Sequence, residues 1–169
     1  MPADLEIRTD RTLSFLLRGS DALLEVLLSR KKIGQGDGNY NGFGGKYDIS
    51  KDETFEDTAV REINEESGLK VDVNDLEYKG CLKFYFPSKP EWNQRVYVYF
   101  ARKWTGEPTE TDEMARAEWF RASALPYDRM WDSDKTWLTP LLQGKRIARA
   151  AFHWKSDNKT VDRYELEFS

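Results

Sequence analysis

The run Arg61-Glu62-Ile63-Asn64-Glu65-Glu66 puts three carboxylates within five consecutive positions. On an α-helix, at about 100° per residue, Phe55, Ala59 and Ile63 form one apolar stripe, and Glu62 and Glu66 fall on that same stripe within about 40° of each other. An ordinary solvated acidic helix would turn its glutamates to the opposite face. Glu65 lies at the edge of the stripe. Carboxylates crowded near a packed face repel one another and lose hydration. A bound divalent cation offsets both costs, and an all-oxygen donor set favours magnesium, manganese or calcium over zinc.

Several elements must hold these side chains. Thr54 followed by Asp57 is a capping-box-like helix start, with Asp in place of the usual Glu or Gln, and Gly68 is a natural stop. The preceding segment, Asn39-Tyr40-Asn41-Gly42-Phe43-Gly44-Gly45-Lys46, has three glycines that let backbone approach a ligand. It is no P-loop, since Tyr47 follows Gly45-Lys46, and no Gly-x-Gly-x-x-Gly occurs. Thr12–Leu17 and Leu23–Ser29 read as a hairpin around Gly19-Ser20-Asp21, followed by a glycine-rich stretch from Gly34 to Gly45. Cys81–Phe86, Arg95–Ala101 and Glu118–Arg121 read as strands, and Thr136–Leu142 as a short helix. Ala151–Trp154 and Thr160–Phe168 read as a last hairpin around Ser156-Asp157-Asn158. Strands on both sides of one strong helix imply a mixed α/β sandwich in a single domain, residues 1–169.

Composition removes several function classes. Net charge is −4, so no long nucleic acid is expected as a partner, although one cation or one basic cluster suffices for a small anionic ligand. Cys81 is the sole cysteine and His153 the sole histidine. A disulfide, a catalytic Cys-His pair and a histidine-rich zinc site are therefore disfavoured. Cys81 reads as a small buried hydrophobe and His153 as structural. The acidic start, Met1 to Asp10, does not resemble a signal peptide, and no apolar run approaches the roughly 20 residues a membrane span needs. A cytoplasmic protein, monomeric or weakly dimeric, is expected.

Gly45, Glu53 and then Arg61-Glu62-Ile63-Asn64-Glu65-Glu66-Ser67-Gly68-Leu69 resemble the Nudix box: Gly, five residues, Glu, seven residues, Arg-Glu-apolar-x-Glu-Glu-x-Gly-apolar. From Glu53 onward every position matches. Before it, seven residues rather than five separate Gly45 from Glu53, and Asp52 replaces a glycine. Outside the box, Lys31-Lys32, Asn41 to Lys46, Asp112-Glu113-Met114, Trp119-Phe120 and Met130-Trp131 resemble the oxidised-purine nucleoside triphosphatases, the 8-oxo-dGTP diphosphatase branch.

The resemblance implies a Nudix-type α/β/α sandwich with a mixed central sheet and a catalytic loop-helix-loop. It implies Mg2+, with Mn2+ as a substitute, held by Glu62, Glu65, Glu66, a backbone carbonyl of Gly44 or Gly45, and Glu113 as a fourth carboxylate. Glu53 and Arg61 would form the ion pair bracing the loop-helix-loop. Lys31 would approach phosphate; Asn41, Trp131, Phe84, Ser133 and Asp134 would meet the base. The implied reaction is attack of water at the β-phosphorus of a purine (deoxy)nucleoside triphosphate, with Glu66 or Glu113 as base. Two departures bear on the substrate. Trp131-Asp132-Ser133-Asp134 stands where the family has Trp-Pro-Asp-Asp, so Ser133 replaces one aspartate unless Asp132 shifts into its place. Gly34-Gln35-Gly36 stands where the family has Gly-Phe-Gly, removing an aromatic wall. The rival readings are a Nudix enzyme for dinucleoside polyphosphates, nucleotide sugars or capped RNA, and a non-catalytic nucleotide-binding module.

Overall fold

The computed structural model describes residues 4–32 and 38–169. The Gly34-Gln35-Gly36 departure lies outside them. The strands are β1 (Thr9–Arg18), β2 (Glu25–Arg30), β3 (Tyr40–Asn41), β4 (Phe43–Lys46), β5 (Leu76–Tyr85), β6 (Gln94–Ala101), β7 (Glu118–Arg121), β8 (Ile147–Trp154) and β9 (Val161–Phe168). The helices are α1 (Phe55–Ser67) and α2 (Asp134–Leu142). Among the described residues the strands form one sheet in the order β3-β2-β1-β6-β5-β8-β9, with β4 added to β1 and β7 to β2. Pairing of β1 with β6 and of β5 with β8 is parallel, while β1–β2, β5–β6 and β8–β9 are antiparallel, so the sheet is mixed.

Successive side chains of β1 alternate between two cores, as the strand period requires. Phe15 and Leu17 join Leu28, Val98, Phe100 and the α2 residues Trp137, Leu138 and Leu141 on one face. Leu16 joins Leu27, Phe43 and Ile63 of α1 on the other. Helix, sheet and helix therefore stack in three layers. Helix α1 starts as its sequence requires: the Thr54 hydroxyl accepts the Asp57 N–H (3.1 Å), and the Asp57 carboxylate accepts the Thr54 N–H (3.1 Å). Gly68 ends it with φ 79°, a left-handed conformation that costs glycine nothing sterically.

The glycine-rich segment differs from a plain loop. Gly44 and Gly45 lie in β4 opposite Leu13 and Thr12, so part of it is sheet. Strands β1, β5 and β8 also begin several residues earlier than their apolar runs. In β5 the apolar pattern is broken by Lys79 and by a bulge at Gly80, where φ is 121°. Among the described residues no helix is long and apolar enough to cross a membrane.

Candidate active site

Helix α1 lies over β4, and Gly44 and Gly45 make that approach feasible. A Cβ on Gly45 would collide with the Glu62 carboxyl. The Gly44 N–H donates to Glu66 Oε1 (2.7 Å). These contacts open one cleft of about 800 Å³, lined at one end by Lys31, Gly44, Gly45, Glu62, Glu65, Glu66 and Glu113 and at the other by aromatic side chains.

Glu66 is pushed up to about 8, first by burial and then by the charges of Glu62 and Glu113; the Gly44 N–H and Lys31 oppose the shift. Glu62 is likewise raised by burial, against the pull of Arg61. Glu65 is half exposed, consistent with its place at the edge of the stripe. The Arg61 guanidinium sits among them, at 2.9 Å from Glu62 and 3.4 Å from Glu65. Among the described residues the carboxylates do not converge into a ready-made cation cage. Their chemistry nevertheless fits a hard divalent ion: glutamate oxygens, two with raised pKa, beside a glycine strand whose carbonyls need no side-chain clearance.

The expected Glu53–Arg61 pair is replaced. Arg61 donates from Nε to Asp52 Oδ1 (2.9 Å) and from Nη2 to Asp52 Oδ2 (2.8 Å), a fork-to-fork contact. It also donates to the Lys46 carbonyl (3.1 Å), tying helix to glycine strand. Asp52 is buried and held down to about 2, chiefly by Arg61. Glu53 is exposed, and its backbone N–H is drawn into the helix cap by Asp57 (3.0 Å). The inserted residues explain the exchange. They form a turn in which the Lys51 and Asp52 N–H groups both donate to the Asp48 carbonyl, and Asp52 is turned inward beneath Thr58, whose hydroxyl donates to it (2.9 Å).

At the aromatic end, Trp131 packs edge-on against Trp154 (6.1 Å, 81°), and Phe84 tilts against the same indole (6.1 Å). Ser133 and Asp134 are buried at the start of α2 and line the cleft. Asp134 Oδ2 accepts the Trp131 N–H (3.2 Å), but burial dominates and pushes its carboxyl up to about 7. Asp132 does not enter the missing aspartate's place. One of its oxygens accepts the Val161 N–H (2.9 Å) and the other pairs with Lys135 (2.9 Å), away from the cleft. Asn41 lines the cleft, its side-chain amide oxygen accepting the Gly42 N–H (2.9 Å).

Reading the sequence left out Asp52, Arg11, Gln94, Trp92 and Trp154, of which all but Asp52 line the cleft. For Arg11 a signal existed: strand alternation puts it on the same face as Leu13 and Phe15, an arginine on an otherwise apolar row. The two residues read from sequence as structural lie outside this cleft, and Cys81 is less buried than expected. His153 stacks on Tyr85 (5.1 Å, 21°), and Cys81 is half-buried, its thiol pushed up by burial.

A NUDIX domain model matches residues 8–141. A protein named oxidized purine nucleoside triphosphate hydrolase from Mus musculus is 42% identical over 142 residues, covering 83% of this chain and 85% of that one. Its namesake from Danio rerio is 45% identical over 122 residues, covering 72% and 74%. Among solved structures, a MutT protein from Bacillus halodurans superposes with a TM-score of 0.74 at 22% identity, covering 94% of this chain and 97% of that one, which speaks for the fold alone. With the box carboxylates complete on a capped helix and the fold in agreement, the chain belongs to the NUDIX family and is a Nudix hydrolase.

Proposed function

We propose that this hydrolase cleaves purine (deoxy)nucleoside triphosphates, including oxidised ones such as 8-oxo-dGTP, to the monophosphate and pyrophosphate. The observation that carries the reading is the continuity of one cleft from the glutamates of α1 to Trp131, Ser133 and Asp134, room for a phosphate chain at one end and a base at the other. The names of the two relatives agree with it. Glu62, Glu65 and Glu66 with a Gly45 carbonyl would hold Mg2+ or Mn2+, with Glu113 as a further carboxylate. When bound, the cation neutralises phosphate oxygens and lowers the pKa of the attacking water.

The chain's own residues do the rest. Arg61, fixed by Asp52, keeps the helix against the glycine strand. Lys31 meets the phosphates, and Glu66 or Glu113 takes the proton from water attacking the β-phosphorus. Asn41, Trp131, Phe84, Ser133 and Asp134 enclose the base. The reading takes the protein as a monomer or weak dimer, and the lone cysteine suits the reducing cytoplasm. The test is pyrophosphate release with Mg2+ across normal and oxidised nucleotides, dinucleoside polyphosphates, nucleotide sugars and capped RNA. Turnover confined to the last three groups would overturn the reading.

A further inference from the structure

Arg11 lines the cleft. Among the described residues its buried Nε makes no hydrogen bond. Among the described residues it enters no ion pair, whereas Arg8, Arg18, Arg61, Arg95 and Arg149 each face a carboxylate. An unpaired buried donor is costly, so a guanidinium kept in that state has an anion to meet.

Its place narrows the anion. In β1, Arg11 lies opposite Lys46 of β4 and beside Val96 of β6. On one side, therefore, is the glycine strand with Glu62 close enough to act on the Arg11 charge; on the other are Gln94, Val96 and Phe84 of the base end. Glu62 is not its partner, being held by Arg61 at 2.9 Å and belonging to the cation-binding set. With a divalent ion on Glu62, Arg11 would have a second positive group nearby. A phosphate between them removes the repulsion, and the planar guanidinium fork fits phosphate oxygens two at a time.

We propose that Arg11 is a further substrate-binding residue, contacting the α-phosphate that joins the base end to the cleaved bond and remains on the monophosphate product. The proposal rests on the nucleotide reading above. It is tested on the full chain with Arg11→Gln and Arg11→Lys. Isothermal titration in EDTA measures 8-oxo-dGMP and its nucleoside, a separate titration measures Mn2+, and steady-state kinetics measure KM for the triphosphate. Arg11→Gln weakens the monophosphate and raises KM by about tenfold to a hundredfold, the scale of a charge-assisted hydrogen bond. Nucleoside and Mn2+ affinities stay unchanged, Lys recovers part of the loss, and the variant melts no lower than the parent because a buried unpaired donor is gone.

Equal loss for nucleoside and monophosphate would make Arg11 a base or fold residue. A change confined to Mn2+ would make it the counter-ion of Glu62. Either result overturns the proposal, as does an unchanged KM in an enzyme that hydrolyses purine triphosphates. A parent enzyme with no turnover of any purine triphosphate would instead remove the nucleotide reading itself.

Discussion

Glu66 and Asp134, at opposite ends of one cleft, both carry carboxyls pushed far above their ordinary range, to about 8 and about 7. Their surroundings differ. Glu66 has charged neighbours of both signs, with Glu62 and Glu113 raising it and Lys31 lowering it. Around Asp134 burial dominates, and the groups that oppose it are the Trp131 backbone N–H and the Trp137 indole rather than charged side chains. A cation relieves the first situation; only a proton, or a hydrogen-bond donor on a ligand, relieves the second. On the proposed function, the same perturbation equips one end for electrostatic catalysis and the other for reading a neutral ring edge.

The strongest way to break this contrast is Glu66→Gln. It should keep the fold and lower Mg2+-dependent turnover by at least about a hundredfold, the scale of losing one catalytic group. Pyrophosphate release near the parent rate would remove Glu66 from the chemistry. Next comes the brace beside it. Asp52→Asn should cost about 2 kcal/mol in urea unfolding, since it strips a buried charge-assisted pair from Arg61. Glu53→Gln should stay within about 0.5 kcal/mol, as exposed substitutions do. Equal effects would mean that the brace is shared.

The pH dependence of stability separates the two ends. Each raised carboxyl binds its proton more tightly in the folded state. Its stabilisation is therefore complete below about pH 4 and is lost as pH rises, through about 7 for Asp134 and about 8 for Glu66. In EDTA the slope should reach at most about 1.4 kcal/mol per pH unit for each group. Saturating Mn2+ should remove the Glu66 part together with that of the raised Glu62 and leave the Asp134 part, and Asp134→Asn should remove the Asp134 part alone. A slope unchanged in Asp134→Asn would show that its carboxyl is not perturbed. The smallest effect is on specificity. Ser133→Asp restores a second acidic reader and should move the ratio of kcat/KM for 8-oxo-dGTP over dGTP at least about threefold, and Asp134→Asn should move it too. Ratios unmoved by both changes would take this corner out of base recognition.

The carboxylate-bearing helix was legible because its signals are local. Thr54, Asp57 and Gly68 mark its ends, and the position of Glu62 and Glu66 on the apolar stripe marks its business face. The short strands β3 and β4 were not, because glycine and asparagine carry no strand preference, and pairing with β1 and β2 decides the matter. The Asp52 brace was hidden for a related reason. Spacing counted along the chain kept Glu53 eight positions before Arg61, while the extra turn at Asp48 redirected which carboxylate faces inward. Trp154 and Gln94 join the cleft through sheet neighbours remote in sequence, which no local pattern reveals.

The β8–β9 hairpin has a bearing on how the protein is born. It lies beyond the stretch matched by the NUDIX model, yet β8 docks beside β5 and delivers Trp154 to the wall behind Trp131. During synthesis the carboxylate helix and its glycine strand emerge long before that wall, yet a domain folds as a unit. A nascent chain halted before residue 147 would lack Ile147, Ala150 and Phe152 from the core as well as Trp154 from the cleft wall. The carboxylate helix therefore waits on this hairpin for a finished core, and proteolytic clipping there should strike the fold and the aromatic wall together.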